Sequence, residues 1–261
     1  MHGARRNGPG AAGGFKLIAA GTGAAWLAHS APYATAITPL RRRLLPGLSG
    51  MGPRSQVALT FDDGPDSTST PLFLAELDRL GWRATFFVLP EMCRANRGAL
   101  DEVMAAGHDI GVHGLRHRTH ISRGPRDVAD DIRRATLELE DMTGRAMQWF
   151  RPPHGTLTMS SALAARRMGL RTVLWTTWGR DWTATATPRS VTDHVLSHLE
   201  PGGTILLHDC DCTSSPGAWR SALGALALIA DEIASRDLRV VSLNEHLDPP
   251  ASPRRRPIGS Q

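Results

Sequence analysis

Hydrophobic and polar positions along the chain form two alternating patterns, short apolar runs and longer amphipathic segments. The first apolar run, Gln56–Thr60, contains two β-branched residues and predicts a buried strand. The amphipathic segments repeat their apolar residues at helical spacing, and the longest begins at Pro125. The predicted strands cover residues 56–60, 82–89, 109–113, 147–151, 171–177, 203–207 and 238–243. The predicted helices cover residues 72–80, 99–106, 125–142, 161–168, 187–199 and 218–235.

Strands that alternate with helices in this way indicate an α/β fold with about seven parallel strands, either open or closed into a barrel. The chain of 261 residues is long enough to bury a sizeable core, and we predict a single domain over residues 51–248. No Gly-rich phosphate loop follows the first strand, which argues against a nucleotide-binding fold.

The charge distribution changes the meaning of the net charge of +5. Residues 1–50 carry six Lys or Arg and no acid, and Arg254, Arg255 and Arg256 lie near the C-terminus. Residues 51–248 are left with 21 basic and 25 acidic side chains. The predicted domain is therefore mildly acidic, and we expect no nucleic-acid partner.

The N-terminal 50 residues resemble a targeting segment. Basic residues precede the apolar stretch Leu17–Ala28, and Ala34-Thr35-Ala36 offers a small-x-small cleavage site. We therefore predict a signal peptide or anchor, with possible membrane contact and a secreted or envelope-associated protein. The alternative is a cytoplasmic protein whose N-terminal extension packs on the domain. Residues 249–261, rich in Pro and Arg, are predicted to be disordered.

Polar residues of the kind used in catalysis follow the predicted strands. Asp62 and Asp63 follow the first strand, and the ends of later strands carry His113, Arg151, Asp181 and His208. The carboxyl ends of parallel strands share one face of a sheet or barrel, and that face carries the active site. The sequence therefore predicts one site at this face.

The pair Asp62-Asp63 and the spacing His113-x-x-x-His117 suggest a metal site. Two adjacent carboxylates repel each other unless a cation or a shared proton intervenes. Two His and one carboxylate suit Zn²⁺ or a related divalent metal, so we assign Asp63 as a ligand and Asp62 as its unbound neighbour. The alternatives are a turn that caps the next helix and histidines on a surface loop. His120 is expected to be solvent-exposed.

Three further features have two interpretations each. Arg151 precedes two prolines on a rigid bend, where it could hold a carboxylate or close a surface ion pair. Asp181 and His208 could form a carboxylate–imidazole pair for acid–base catalysis. Trp182 could stack on a sugar or belong to the core.

Three cysteines are too few for a zinc knuckle or a disulfide framework. A packed free cysteine, or one disulfide that includes Cys93, is the preferred interpretation. A thiol ligand from Cys210 or Cys212 is the alternative.

Five motifs occur in order between Gln56 and His246: T-F-D-D-G-P, H-x-x-x-H, R-P-P-x-G, D-W and L-x-H-D. In this order they resemble the polysaccharide deacetylases, carbohydrate esterase family four. The resemblance implies a distorted (β/α) barrel and a divalent metal, usually zinc. It also implies roles: Asp62 as general base, His208 as general acid, Arg151 and Asp181 as their orienting residues, Asp63, His113 and His117 as metal ligands, and His154, Trp182 and Leu206 as substrate-binding residues.

The implied activity is removal of N-acetyl groups from N-acetylglucosamine-containing glycans by a monomeric hydrolase. Three departures from the family pattern concern the substrate: Gly114 replaces a Ser or Thr, His154 replaces a Tyr, and Trp178 replaces an acid. The alternatives are a related amide or O-acetyl ester hydrolase and an inactive glycan-binding homologue.

Overall fold

The computed structural model describes residue 35 and residues 37–248. Within this part of the chain the helices are α1 (Thr38–Leu44), α2 (Thr70–Arg79), α3 (Pro90–Ala95), α4 (Arg97–Ala105), α5 (Pro125–Thr143), α6 (Met159–Arg167), α7 (Pro188–His198), α8 (Trp219–Ser235) and α9 (Leu243–Leu247). The strands are β1 (Gln56–Asp62), β2 (Thr85–Val88), β3 (Asp109–Val112), β4 (Trp149–Phe150), β5 (Arg171–Thr172), β6 (Thr177–Trp178), β7 (Thr204–His208) and β8 (Arg239–Val241). A 3₁₀ turn spans Pro153–Gly155.

All eight strands pair in parallel within one sheet. Their order is β5-β4-β3-β2-β1-β7-β6, and β8 pairs with the start of β1. Strand β1 contacts β7 along one edge and both β8 and β2 along the other, so all seven of its residues are buried. The Phe61 ring of β1 stacks on Phe86 at 5.0 Å and meets Phe73 edge-on at 5.2 Å, which places the main core beneath this strand.

The sheet curls into an incomplete barrel. Its two edge strands are β5 and β6, and only residues 173–176 separate them in the chain. A linker of that length spans less than about 20 Å, whereas six flat strand spacings would cover about 29 Å. The edges must therefore approach each other, and the predicted distorted barrel of parallel strands is confirmed.

Element ends follow local chemistry. Thr187 caps α7 in a reciprocal capping box with Ser190, and Pro188 occupies the first turn. Gly144 ends α5 in the left-handed region at φ 64°, a conformation that glycine adopts without strain. The predicted strand over residues 171–177 is wrong in one respect, because it is divided into β5 and β6. In the gap between them, the Leu174 N–H donates to the Leu48 carbonyl instead of to a strand.

Residues 37–50 pack on the barrel through a buried arginine. The Arg41 side chain donates to the Trp175 carbonyl at 2.5 Å and to Ser49 Oγ at 3.2 Å. Within residues 37–248, no helix combines the length and the apolar character that crossing a bilayer requires. The predicted apolar targeting stretch and the predicted C-terminal tail lie outside the described residues.

Candidate active site

The strand register brings the two proposed proton-transfer residues together. Asp62 ends β1 and lies opposite His208, the last residue of β7, in the parallel ladder. Strands β3 and β4 pair at Val112 and Phe150, so the next residues, His113 and Arg151, leave the sheet side by side. Parallel strands end at the same face, and this geometry collects residues that are far apart in sequence.

Asp63, His113 and His117 converge on one point. Asp63 Oδ1 lies 3.3 Å from His113 Nε2 and 3.4 Å from His117 Nε2. Asp63 adopts φ 81°, a left-handed conformation rare outside glycine, and this turns its carboxylate away from the strand axis. Within the described residues these three form the cluster suited to hold a cation.

The donor atoms fit a divalent metal. The Nδ1–H of His113 donates to the Arg151 carbonyl at 2.9 Å, so His113 Nε2 carries a lone pair directed at Asp63. Asp63 Oδ1 is buried and accepts no hydrogen bond from any described residue. Two ligands of one tetrahedral zinc ion, each about 2.0–2.1 Å from it, are about 3.3 Å apart. The observed separations therefore leave room for one ion.

Burial affects the second imidazole in a way that favours metal binding. Burial lowers the pKa of His117 to about 4, and the opposing influence of the Asp63 carboxylate is smaller. A neutral imidazole offers its nitrogen lone pair to a cation without first losing a proton.

Arg151 is fully buried and holds Asp62. Its Nη1 donates to Asp62 Oδ1 at 2.7 Å and to Thr60 Oγ1 at 2.8 Å. Its Nη2 donates to the Leu174 carbonyl at 2.9 Å, and its guanidinium lies 4.1 Å from the centre of the Phe87 ring. Of the two interpretations drawn from the sequence, the structure excludes the surface ion pair.

Asp181 accepts two hydrogen bonds from His208. The His208 Nδ1–H donates to Asp181 Oδ1 at 3.1 Å, and the His208 backbone N–H donates to Asp181 Oδ2 at 2.7 Å. Burial, the largest single influence, lowers the pKa of His208, but the Asp181 carboxylate together with Asp63 and Asp62 outweighs it and raises the pKa to about 10. The ring therefore carries a proton at neutral pH.

These groups line a cavity of about 280 Å³. The proposed substrate-binding residues lie in its wall: Leu206 projects from β7, Trp182 meets the His208 ring edge-on at 5.8 Å, and the His154 ring lies 4.1 Å from that of His117. Arg151 and Asp181 lie behind the wall, in contact with Asp62 and His208 respectively.

Comparison with known proteins places this arrangement in a family. The family model described as polysaccharide deacetylase matches residues 49–173. A peptidoglycan-N-acetylglucosamine deacetylase of Bacillus cereus is 32% identical over 194 residues, which cover 73% of this chain and 87% of the relative. The chain belongs to the polysaccharide deacetylase family. The deacetylases of this family are hydrolases.

A further relative and two solved structures of the family are also similar to this chain. A chitooligosaccharide deacetylase of a Bradyrhizobium species is 32% identical over 67% of this chain and 78% of its own length. A family 4 carbohydrate esterase from Streptomyces lividans, solved with acetate, superposes with a TM-score of 0.62 at 28% identity over 70% of this chain and 90% of its own. A family pseudoenzyme from Bacillus anthracis shares the fold, with a TM-score of 0.67 at 22% identity over 75% of this chain and 66% of its own.

The site of this polysaccharide deacetylase family member includes residues in the cavity wall and behind it that sequence reasoning missed. Thr213 Oγ1 contacts Asp63 Oδ2, and Ser214 lies beside it in the wall. Thr60 supports Arg151 from within β1. Trp178, noted in the sequence only as a departure, lies against Trp182 at 5.1 Å between ring centres. A hydroxyl on a loop leaves no sequence pattern by which Thr213 could have been found.

Two sequence expectations are wrong. His120 is 0% exposed rather than solvent-exposed, because its ring stacks parallel to Phe150 beneath the loop. The disulfide joins Cys210 to Cys212, so the expected disulfide with Cys93 is wrong, whereas a packed free cysteine is present as Cys93, buried on α3 inside the core. Sulfurs joined in a disulfide are not thiolate ligands, so the alternative of a Cys ligand also fails.

Proposed function

We propose that this protein is a metal-dependent deacetylase that removes N-acetyl groups from N-acetylglucosamine-containing glycans. Asp63, His113 and His117 are the proposed metal ligands, and Zn²⁺ suits this donor set best. A divalent cation held there supplies Lewis-acid chemistry, since it polarises a carbonyl oxygen and lowers the pKa of water. The names and activities of the B. cereus and Bradyrhizobium relatives support this assignment of substrate class.

Asp62 is the proposed general base. Its Oδ1 is engaged by Arg151, whereas Oδ2 faces the cavity 3.8 Å from His113 Nε2. A carboxylate fixed on one oxygen presents the other in one direction, so it can take the proton of the attacking water. We assign Arg151 as the positioning residue for this base.

His208 is the proposed general acid. An amine is a poor leaving group unless it is protonated as the C–N bond breaks. The proton on His208 Nε2 meets that need, and Asp181 keeps the ring charged and oriented. Transfer of this proton releases acetate and the free amine of the sugar.

The cavity wall is proposed to hold the acetamide and the sugar. Leu206 and Trp182 provide apolar surface for the acetyl methyl group and the sugar ring. We assign the backbone N–H of His154 to the tetrahedral oxyanion, where a fixed donor stabilises developing charge.

One observation carries the proposal: Asp62 and His208 approach two different members of the ligand cluster. Asp62 Oδ2 approaches His113 at 3.8 Å, whereas His208 Nε2 approaches Asp63 Oδ2 at 3.9 Å. We propose that the base and the acid act on a substrate bound beside this cluster, since hydrolysis of an amide requires both.

Acetate release from N-acetylglucosamine oligomers tests the proposal. We expect the wild-type protein to release acetate, to lose activity on chelation and to recover it with Zn²⁺. Asp62→Asn and His208→Ala should each reduce kcat by at least about 100-fold, whereas the exposed control His198→Ala should not. Near-wild-type turnover in either site variant would refute its role. Release of acetate only from O-acetyl esters would favour an esterase, and no release would favour an inactive glycan-binding protein.

The remaining features of the proposal concern the whole chain. We propose a catalytic domain over residues 51–248 that acts as a monomer outside the cytoplasm, on cell-wall glycan. Residues 1–36 would direct export or anchor the protein at the membrane, residues 37–50 would pack on the catalytic domain, and residues 249–261 would form a tail. Fractionation of the native host and analysis of the mature N-terminus test these assignments.

A further inference from the structure

The loop between the two histidine ligands is tied to helix α5 by one buried carboxylate. Asp131 lies on α5, and its side chain is only 4% exposed. Its Oδ1 accepts the backbone N–H of Leu115 at 2.9 Å, and its Oδ2 accepts Arg123 Nη1 at 2.8 Å. The carboxylate therefore bridges the start of the loop and the segment that follows it.

The two imidazole ligands are oriented by different means. His113 is fixed by its hydrogen bond to the Arg151 carbonyl. His117 has no such bond: within the described part of the chain, no hydrogen bond to its ring is present, and its ring contacts are with His113 and His154. The direction of the His117 ring therefore depends on the backbone of the loop that carries it.

Gly114 and His120 show how closely the loop fits this carboxylate. Gly114 adopts φ 88°, and a Cβ at this position would lie 3.2 Å from Asp131 Oδ1. His120, fully buried, places Nε2 3.9 Å from the same oxygen. The carboxylate thus occupies the space beside Gly114.

We propose that Asp131 is a positioning residue for the metal site. It holds the loop over residues 113–120 in the conformation that directs His117 at Asp63. This inference rests on the proposed function, since it assigns a support to the proposed ligands. Contacts outside the ligand shell typically change metal affinity by about 10- to 100-fold.

Cobalt binding to the apo-protein tests the inference without any turnover. The visible absorption of Co²⁺ reports both affinity and ligand geometry. We expect Asp131→Ala to weaken binding by about 10- to 100-fold and Asp131→Asn by less, because the amide retains one oxygen for the Leu115 N–H. The matched control is Asp130→Ala on the same helix, a residue 52% exposed, which should bind Co²⁺ like the wild type.

The outcomes separate this inference from the proposed function. If the wild type binds no Co²⁺, the metal-dependent function fails. If the wild type binds and folded Asp131→Ala binds within threefold of it, the positioning role alone is overturned. Should circular dichroism show Asp131→Ala to be unfolded, Arg123→Ala, at a partly exposed residue, replaces it. We expect at least threefold weaker binding in that variant, and wild-type affinity would overturn the role.

Discussion

Replacing Asp181 by Asn should move the alkaline limit of activity to lower pH. The carboxylate lies 3.1 Å from His208 Nδ1, and at an effective dielectric constant of about 20 two unit charges at that distance interact by about 5 kcal/mol. One pKa unit corresponds to about 1.4 kcal/mol, so this interaction accounts for a shift of about 3–4 units. The pKa of His208 is raised from 6.5 to about 10 because this attraction, together with those of Asp63 and Asp62, exceeds the opposing effect of burial.

The direction of the pH shift follows from the role of His208 as general acid. His208 must be protonated to act, so activity falls as pH rises through its pKa. In Asp181→Asn, burial is opposed only by Asp62 and Asp63, so the pKa of His208 falls well below its wild-type value. Each unit by which the pKa falls lowers the protonated fraction about tenfold above the pKa, so kcat of the variant should fall by at least about 10-fold relative to the wild type on the alkaline side, with a smaller loss at acidic pH.

The assay is kcat for acetate release from a soluble N-acetylglucosamine oligomer between pH 5 and 10. A cation bound at Asp63 lowers the pKa of His208 in both proteins, so the separation between the two profiles carries the prediction. Asp193→Asn, which removes a carboxylate 57% exposed on α7, is the matched control. If Asp181→Asn lowered kcat equally at every pH, or left the alkaline limb in place, the reasoning would be refuted.

Three further predictions concern the support of the site. Arg151→Met leaves the Asp62 carboxylate buried without its partner, so urea denaturation should show a loss of about 3–5 kcal/mol of stability. Gly114→Ser forces a side chain into φ 88° and towards Asp131, and thermal melting should show destabilisation of about 1 kcal/mol or more. Thr213→Val removes the hydroxyl that contacts Asp63 Oδ2, and calorimetry should show about 10-fold weaker Zn²⁺ binding. An unchanged stability or affinity would contradict each argument in turn.

The fold could be predicted from the sequence because the residues that begin and end helices and strands act over short segments of the chain. Proline at the start of α7 and glycine at the end of α5 act within one turn of helix, and alternation of strands with helices restricts the sheet to parallel pairing. The same local reasoning failed between residues 172 and 177. That segment has the composition of one strand, but its middle bonds to Leu48, more than a hundred residues earlier.

The burial of His120 and the pairing of the cysteines depend on contacts between distant segments, so local sequence patterns did not predict them. A polar ring on a short loop is usually exposed, yet His120 lies beneath Phe150 and beside Asp131. A cysteine pairs with whichever partner the fold brings within reach. The Cα atoms of Cys210 and Cys212 are 5.5 Å apart, within the range a disulfide spans.

For this protein, the sequence by itself determined which residue types stand at the carboxyl end of each strand, because strand ends and motif spacing are properties of short segments. The tertiary structure decided how they face one another. It aligned Asp62 with His208, directed Asp63 and two imidazoles at one point, and set Asp181 against His208. The strand register sets which residues face each other, and burial together with nearby charges shifts a pKa by several units. Neither can be deduced from the neighbouring residues in the chain.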